Sequence, residues 1–173
     1  MTRDNDIAQQ TIEQIRVNVA FEAMIVAVLT GAAAGAVMTL AINLFGLMTR
    51  GFIMAGFLSA VLDAMLVGFL VFLVGFGASV AIGAPLFVVL EKRKRRNVWP
   101  YLAAAIGVAI GAYFFAASGL PATEEMGIGA VAAIFAPAAI IAVMFARLMK
   151  PHWRAAEKAE REAAAGPILV RLN

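Results

Sequence analysis

The chain has 173 residues, 63% of them hydrophobic and 14% charged, with a net charge of +3, and its mean hydropathy is +0.90. A soluble domain of this size would leave extended apolar surface in water, so composition excludes that class and makes lipid the solvent. There is no cysteine and one histidine, His152, which excludes disulfides, thiol chemistry and a Cys/His zinc site; no metal and no cofactor is expected.

Residues 1–22 read as a cytoplasmic amphipathic segment. Ala8, Ile12, Ile15 and Val19 recur at helical spacing and lay one apolar stripe along a helix. The stripe suits a membrane surface or a partner; equally, the segment reads as the first turns of a long first span. Asp4, Asp6, Glu13 and Glu22 outnumber Arg3 and Arg16 before the first apolar run, a balance that disfavours a cleaved signal peptide.

Four uncharged runs follow: Ala23–Met48, Ala64–Leu90, Val98–Thr123 and Met126–Ala146, of 26, 27, 26 and 21 residues. About 20 apolar residues in a helix cross a hydrocarbon core of about 30 Å. Each backbone N–H and C=O must be paired within its own segment in lipid, and the runs lack the alternation of barrel strands. The expected fold is therefore all-α: an integral membrane bundle of four transmembrane helices with spans at about 23–48, 64–90, 98–120 and 127–147. Within this scheme residues 23–149 are the membrane domain, and residues 51–62 are an outer connecting segment, an interfacial or re-entrant helix rather than a fifth span. Residues 150–173 are a cytoplasmic helix and tail. Good helix formers run from Pro151 to Ala165, with Glu157 and Arg161 at i,i+4, until Gly166 and Pro167 stop the helix before the apolar end Ile168–Asn173.

Thirteen of the fourteen basic residues fall in the N-terminal flank, the loop Lys92–Arg96 or the C-terminal tail; the first loop holds only Arg50, and the third holds Glu124 and Glu125. By the positive-inside rule both termini and the middle loop are cytoplasmic, and Trp99 and Trp153 take the places of an inner aromatic belt.

Small residues at Gly31-xxx-Gly35 and Gly107-xxx-Gly111, the latter extended back to Ala103, predict close helix contacts, within one bundle or between subunits. Pro85 and Pro137 each remove a backbone hydrogen bond and predict a kink or local unwinding of the second and fourth spans.

Polar groups at membrane depth are few. Thr39, Asn43 and Asp63 all fall towards the outer leaflet and form a candidate polar cluster suited to a cation or a proton. Against that stands a structural role, with Asp63 capping the start of the second span and Asn43 bonding across helices. The run Lys92, Arg93, Lys94, Arg95 and Arg96 reads as a topology determinant that attracts anionic lipid headgroups, and not as a nucleic-acid site.

The inventory argues against an enzyme: Asp63 is the single carboxylate near the membrane interior, His152 lies in the tail, and no phosphate loop or metal-ligand spacing occurs. Thr39 to Gly46 resembles the Thr-x-x-x-Asn-x-x-Gly stretch of the small four-helix fluoride channels. The third run lacks that family's threonine- and phenylalanine-rich pore motif and the first span lacks its arginine, so no family is assigned.

Two functions remain from the sequence. The favoured one is a non-catalytic accessory, assembly or scaffold subunit acting through helix packing and cytoplasmic tails, with a membrane-protein partner or a homo-oligomer. The alternative is a small oligomeric ion channel or transporter using Asp63 and Asn43. The expected location is a bacterial inner membrane.

Overall fold

The computed structural model describes the backbone of residues 2–51, 53–119 and 128–165 and the side chains of 16–49, 51, 53–119, 129 and 131–162. The side chains of Ala8, Ile12 and Ile15, the loop with Glu124 and Glu125, the stop at Gly166 and Pro167, and Ile168–Asn173 lie outside the described residues. Every described element is helical: α1 (Thr2–Arg50), α2 (Met54–Ala78), a π turn (Ser79–Gly83), α3 (Ala84–Lys92), α4 (Trp99–Ser118) and α5 (Ile128–Ala165). Four continuous helical stretches are long and apolar enough to cross a membrane: Arg16–Thr49, Met54–Lys92, Trp99–Ser118 and Val131–Glu162.

The helices run further than the apolar runs require. The described backbone at the two ends forms no separate short helices. Instead α1 continues unbroken from Thr2, and α5 continues through Pro151 to Ala165. Of the tail's i,i+4 carboxylate and cation positions, Lys158 and Glu162 form the pair, 3.8 Å apart. Nor is 51–62 a separate connecting segment. The connection is residues 51–53, turned by Gly51 in the left-handed region at φ 99°, where glycine carries no Cβ penalty. Met54 to Leu62 then form the first turns of α2. Leu58 and Leu62 are exposed, as an apolar helix surface in lipid should be.

Pro85 acts through the backbone as expected. It has no N–H, so Ala81 O loses its usual donor, and the ladder resets to i−5: Ala84 N donates to Ser79 O within the π turn. Pro137 leaves α5 continuous and is fully buried.

Small residues set the packing order. A Cβ on Gly31 would lie 2.9 Å from Ile141 Cδ1 and 3.1 Å from Pro137 O, and one on Gly35 would lie 3.2 Å from Pro137 Cγ, so α1 and α5 approach at these two glycines. On the neighbouring face of α1, a Cβ on Gly68 of α2 would lie 3.0 Å from Ala36 Cβ and 3.3 Å from Ala32 O. Among the described residues nothing stands within 4 Å of a Cβ on Gly107 or Gly111, so of the two small-residue pairs only Gly31 and Gly35 show a close helix approach within the bundle. The resulting order is α2, α1, α5, α4, with α2 and α4 at opposite ends of an arc; among the described residues the principal approach between these two sides is where the π turn meets α4.

The arc is pinned at the end that carries the basic loop. Tyr101 and Phe145 rings lie 4.9 Å apart and Tyr101 stacks on Trp153 at 6.0 Å, with Phe87 edge-on to Phe145. Trp153 is therefore buried core and not a belt residue, whereas Trp99 is exposed. Beside this cluster, Arg96 donates to Glu91 at 2.8 Å and to Glu160 at 2.7 Å, and its side chain is 3% exposed. Lys94 reaches Glu160 at 3.4 Å, and Arg16 of α1 reaches Glu91 at 3.5 Å. Arg96 is thus an internal brace rather than a headgroup ligand, and among the described residues Lys92, Arg93 and Arg95 of the basic run show no carboxylate partner. The bond to Glu91 raises the affinity of Arg96 for its proton, against the desolvation of burial, and Glu160 adds to it. The bond from Arg96 likewise holds the Glu160 carboxyl below its ordinary range.

Two outcomes follow for stability in detergent. Gly31→Val forces a branched side chain into the α1–α5 contact and should lower the melting temperature, an overpacking cost of about 1–3 kcal/mol, while Gly107→Val should leave it unchanged. Equal effects would contradict the packing order. For the brace, a carboxylate whose folded pKa is depressed stabilises above its unfolded value, about 4.3 for Glu, and loses that contribution as pH falls through the folded value. Wild type should therefore melt above Glu160→Gln at neutral pH, with the gap closing at pH below the ordinary carboxylate range.

Candidate functional site

Because α2 and α4 stand at opposite ends of the arc, it encloses a half-open cavity of about 1050 Å³, at the upper end of the roughly 300–1,000 Å³ of ligand pockets. Its floor is the α1–α5 spine at Ala27, Pro137 and Ile141. One wall is α2 and the π turn, and the other is the α4 face that carries Ala104, Ala105, Val108 and Ala112. The cavity runs from Asp63 at one end to Gly83 and Tyr101 at the other. Asp63 to Gly83 is twenty residues, so the cavity is about 30 Å long, the thickness of a bilayer core.

The lining is apolar except at its ends. At the end away from the basic loop, Asn43 Nδ2 donates to Asp63 Oδ2 at 3.4 Å, a long bond that leaves most of the carboxylate's acceptor capacity open. Thr39 lines the same end, and its hydroxyl oxygen is buried without a hydrogen-bond partner. The three candidate residues thus share one end of one cavity. Among the described residues no lysine, arginine or histidine lines it. Asp63 does not cap α2: that helix starts at Met54, with Ile53 at the cap position, so Asp63 lies more than two turns inside it.

Depth follows from helix length. Asp63 and Glu91 are 28 residues apart on one nearly continuous helical run, about 42 Å at 1.5 Å per residue. With Glu91 at one interface, Asp63 falls near the opposite headgroup layer, since core plus headgroups measure about 40–45 Å. On that placement the carboxylate and amide would sit at the polar rim of a bilayer, with the rest of the cleft in its hydrocarbon.

The walls were the part hidden from sequence reasoning. The α4 wall recurs at three- and four-residue steps, Tyr101, Ala104, Ala105, Val108, Ala112 and Phe115, but in an all-apolar helix that period has no polar background to stand against. For the π turn the signal was present in Pro85 and the carbonyl it frees four residues earlier; such turns concentrate at functional sites.

No family model matches the chain, and neither a curated protein nor a solved structure matches it. The cleft is read from its own geometry.

A buried hydroxyl without a partner costs about 1–3 kcal/mol against an apolar isostere. Thr39→Val should therefore raise the melting temperature of delipidated protein. A lowered melting temperature would mean that Thr39 already makes a structural hydrogen bond.

Proposed function

We propose that the chain is a non-catalytic binding protein of the membrane, of carrier or transporter type, that holds an amphipathic molecule in the cleft between α2 and α4. One observation carries this reading: a bilayer-long apolar cavity, open towards lipid, has its polar residues Asp63, Asn43 and Thr39 gathered at the headgroup end. A polar head belongs at that end and an apolar body along the walls. Continuous apolar lining through the middle argues against conduction of ions through this single chain, because an ion there meets few dipoles to replace its water.

The charge pattern supports both termini and the basic loop on the cytoplasmic side and Asp63 facing outward. The composition fits a bacterial inner membrane. Lys92, Arg93 and Arg95, which remain exposed, suit anionic lipid headgroups there at about 1 kcal/mol each.

A second reading, an accessory or assembly subunit, is favoured by one feature: Gly107 is open to its surroundings beside exposed Ile110 and Phe114, a face on which another helix can seat.

The carrier reading predicts co-purification of a small apolar or amphipathic molecule, seen by native mass spectrometry after mild-detergent extraction. Ala112→Phe, which fills the cleft from the α4 wall, should lose that molecule while keeping the wild-type melting temperature. Extraction of an empty chain in stoichiometric complex with a foreign membrane protein would instead support the accessory reading.

A further inference from the structure

We propose that the head of the cleft's occupant is cationic: Asp63, with Asn43 and Thr39, is a receptor for a protonated amine carried on an apolar tail. This inference rests on the reading of the cleft as a binding site and adds the chemical class of what fills it.

A carboxylate has about four acceptor positions, and at Asp63 the described partner is one amide donor at 3.4 Å. The five described ion pairs involve Arg16, Glu91, Lys94, Arg96, Lys158, Glu160 and Glu162, all at the other end of the molecule, and none reaches Asp63. Among the described residues no cationic side chain lines the cleft, so none of them supplies a countercharge to Asp63. Asp63 is exposed at the mouth of the cleft, so a cationic head arriving there can meet its carboxylate directly.

The neighbours define the shape of that cation. Asn43, whose amide donates to Asp63, lines the same end of the cavity, and Thr39, one helical turn deeper on α1, lines it too with its hydroxyl oxygen itself buried. The open acceptor positions of the Asp63 carboxylate, ordered by the Asn43 amide, suit the N–H donors of a primary ammonium. Beyond that head the walls change at once to Val67, Leu70, Val71 and Val74, which accept an alkyl chain and no second polar group. A bare metal ion would find one carboxylate there, and among the described residues no three His, Cys, Asp or Glu side chains come together for a metal. An amine-headed lipid and a free long-chain amine share the required chemistry.

The test uses the full chain in nanodiscs of phosphatidylcholine, with the partition of each probe into empty nanodiscs subtracted. The probes are dodecylammonium and its neutral counterpart dodecanol, measured on wild type, Asp63→Asn and Ala112→Phe. Dodecylammonium should bind about tenfold tighter than dodecanol or better, as a charge-assisted hydrogen bond contributes. Asp63→Asn should erase that preference while dodecanol binding stays, and Ala112→Phe should abolish both. Should Asp63→Asn fail to fold, the wild-type comparison of the two probes decides alone.

Equal affinity for the two probes in wild type, or a preference that survives Asp63→Asn, would overturn the ammonium assignment and leave the cleft standing, provided Ala112→Phe still abolishes binding. Binding of neither probe, or binding untouched by Ala112→Phe, would overturn the cleft itself and the ammonium assignment with it. Displacement of dodecylammonium by phosphatidylethanolamine but not by phosphatidylglycerol would support the ammonium class and name the membrane as its source. Resistance to both lipids, with the wild-type preference intact, would support a free amine.

Discussion

The close approach of α1 and α5 at Gly31 and Gly35 is the contact on which the rest of the bundle depends. In lipid there is no hydrophobic force between helices, so van der Waals contact and backbone proximity decide which surfaces meet. Gly31 receives Ile141, and Gly35 receives Pro137, the proline that α5 carries without breaking. Gly75 of α2 joins the same junction, where a Cβ would lie 3.1 Å from Ile141 and 3.4 Å from Val28. A two-helix spine results, with α2 held along one side by Ala32, Ala36 and Gly68 and α4 held along the other by its contact with α5.

Because the spine binds its flanking helices on opposite sides, α2 and α4 are separated by its width, and the space between them becomes the cleft. Four helices with symmetric small-residue contacts would have closed into a filled bundle. Here, among the described residues, nothing stands within 4 Å of a Cβ on the glycines of α4, so closure stops where the π turn meets α4 and the aromatic cluster of Tyr101, Phe145 and Trp153 fills the remaining gap. Arg96 locks that end by joining Glu91 and Glu160 across α3 and α5. One end of the molecule is therefore tied by ion pairs, and among the described residues the other, with Asp63, shows none.

The four spans were legible because uncharged length alone decides them, and the polar cluster was legible because so few polar groups break those runs. Trp153 and Arg96 were misplaced for a common reason: charge and aromatic statistics describe the average interface, whereas here α1 and α5 extend past it and bury both side chains. Length alone separates residues 51–62 from the second span in sequence, since a helix through both is about 60 Å, twice a bilayer core; the structure carries residues 54–62 in α2 all the same, with Asp63 inside the helix. The cleft itself was not legible. Small residues on α1 and α4 look alike in sequence, and only the backbone positions show that one set meets a partner helix and the other faces open space.

The central claim is an apolar cleft open to lipid between α2 and α4. Since the chain has no cysteine, a single nitroxide at Val74→Cys, on the cleft wall, can be compared with one at Leu73→Cys, exposed but outside the cleft lining. The account predicts that, in delipidated protein returned to a bilayer, both labels relax with oxygen and neither with a water-soluble nickel chelate. Nickel access at Val74 alone would mean a water-filled path, and exclusion of both reagents there would mean a closed bundle; either result contradicts the account.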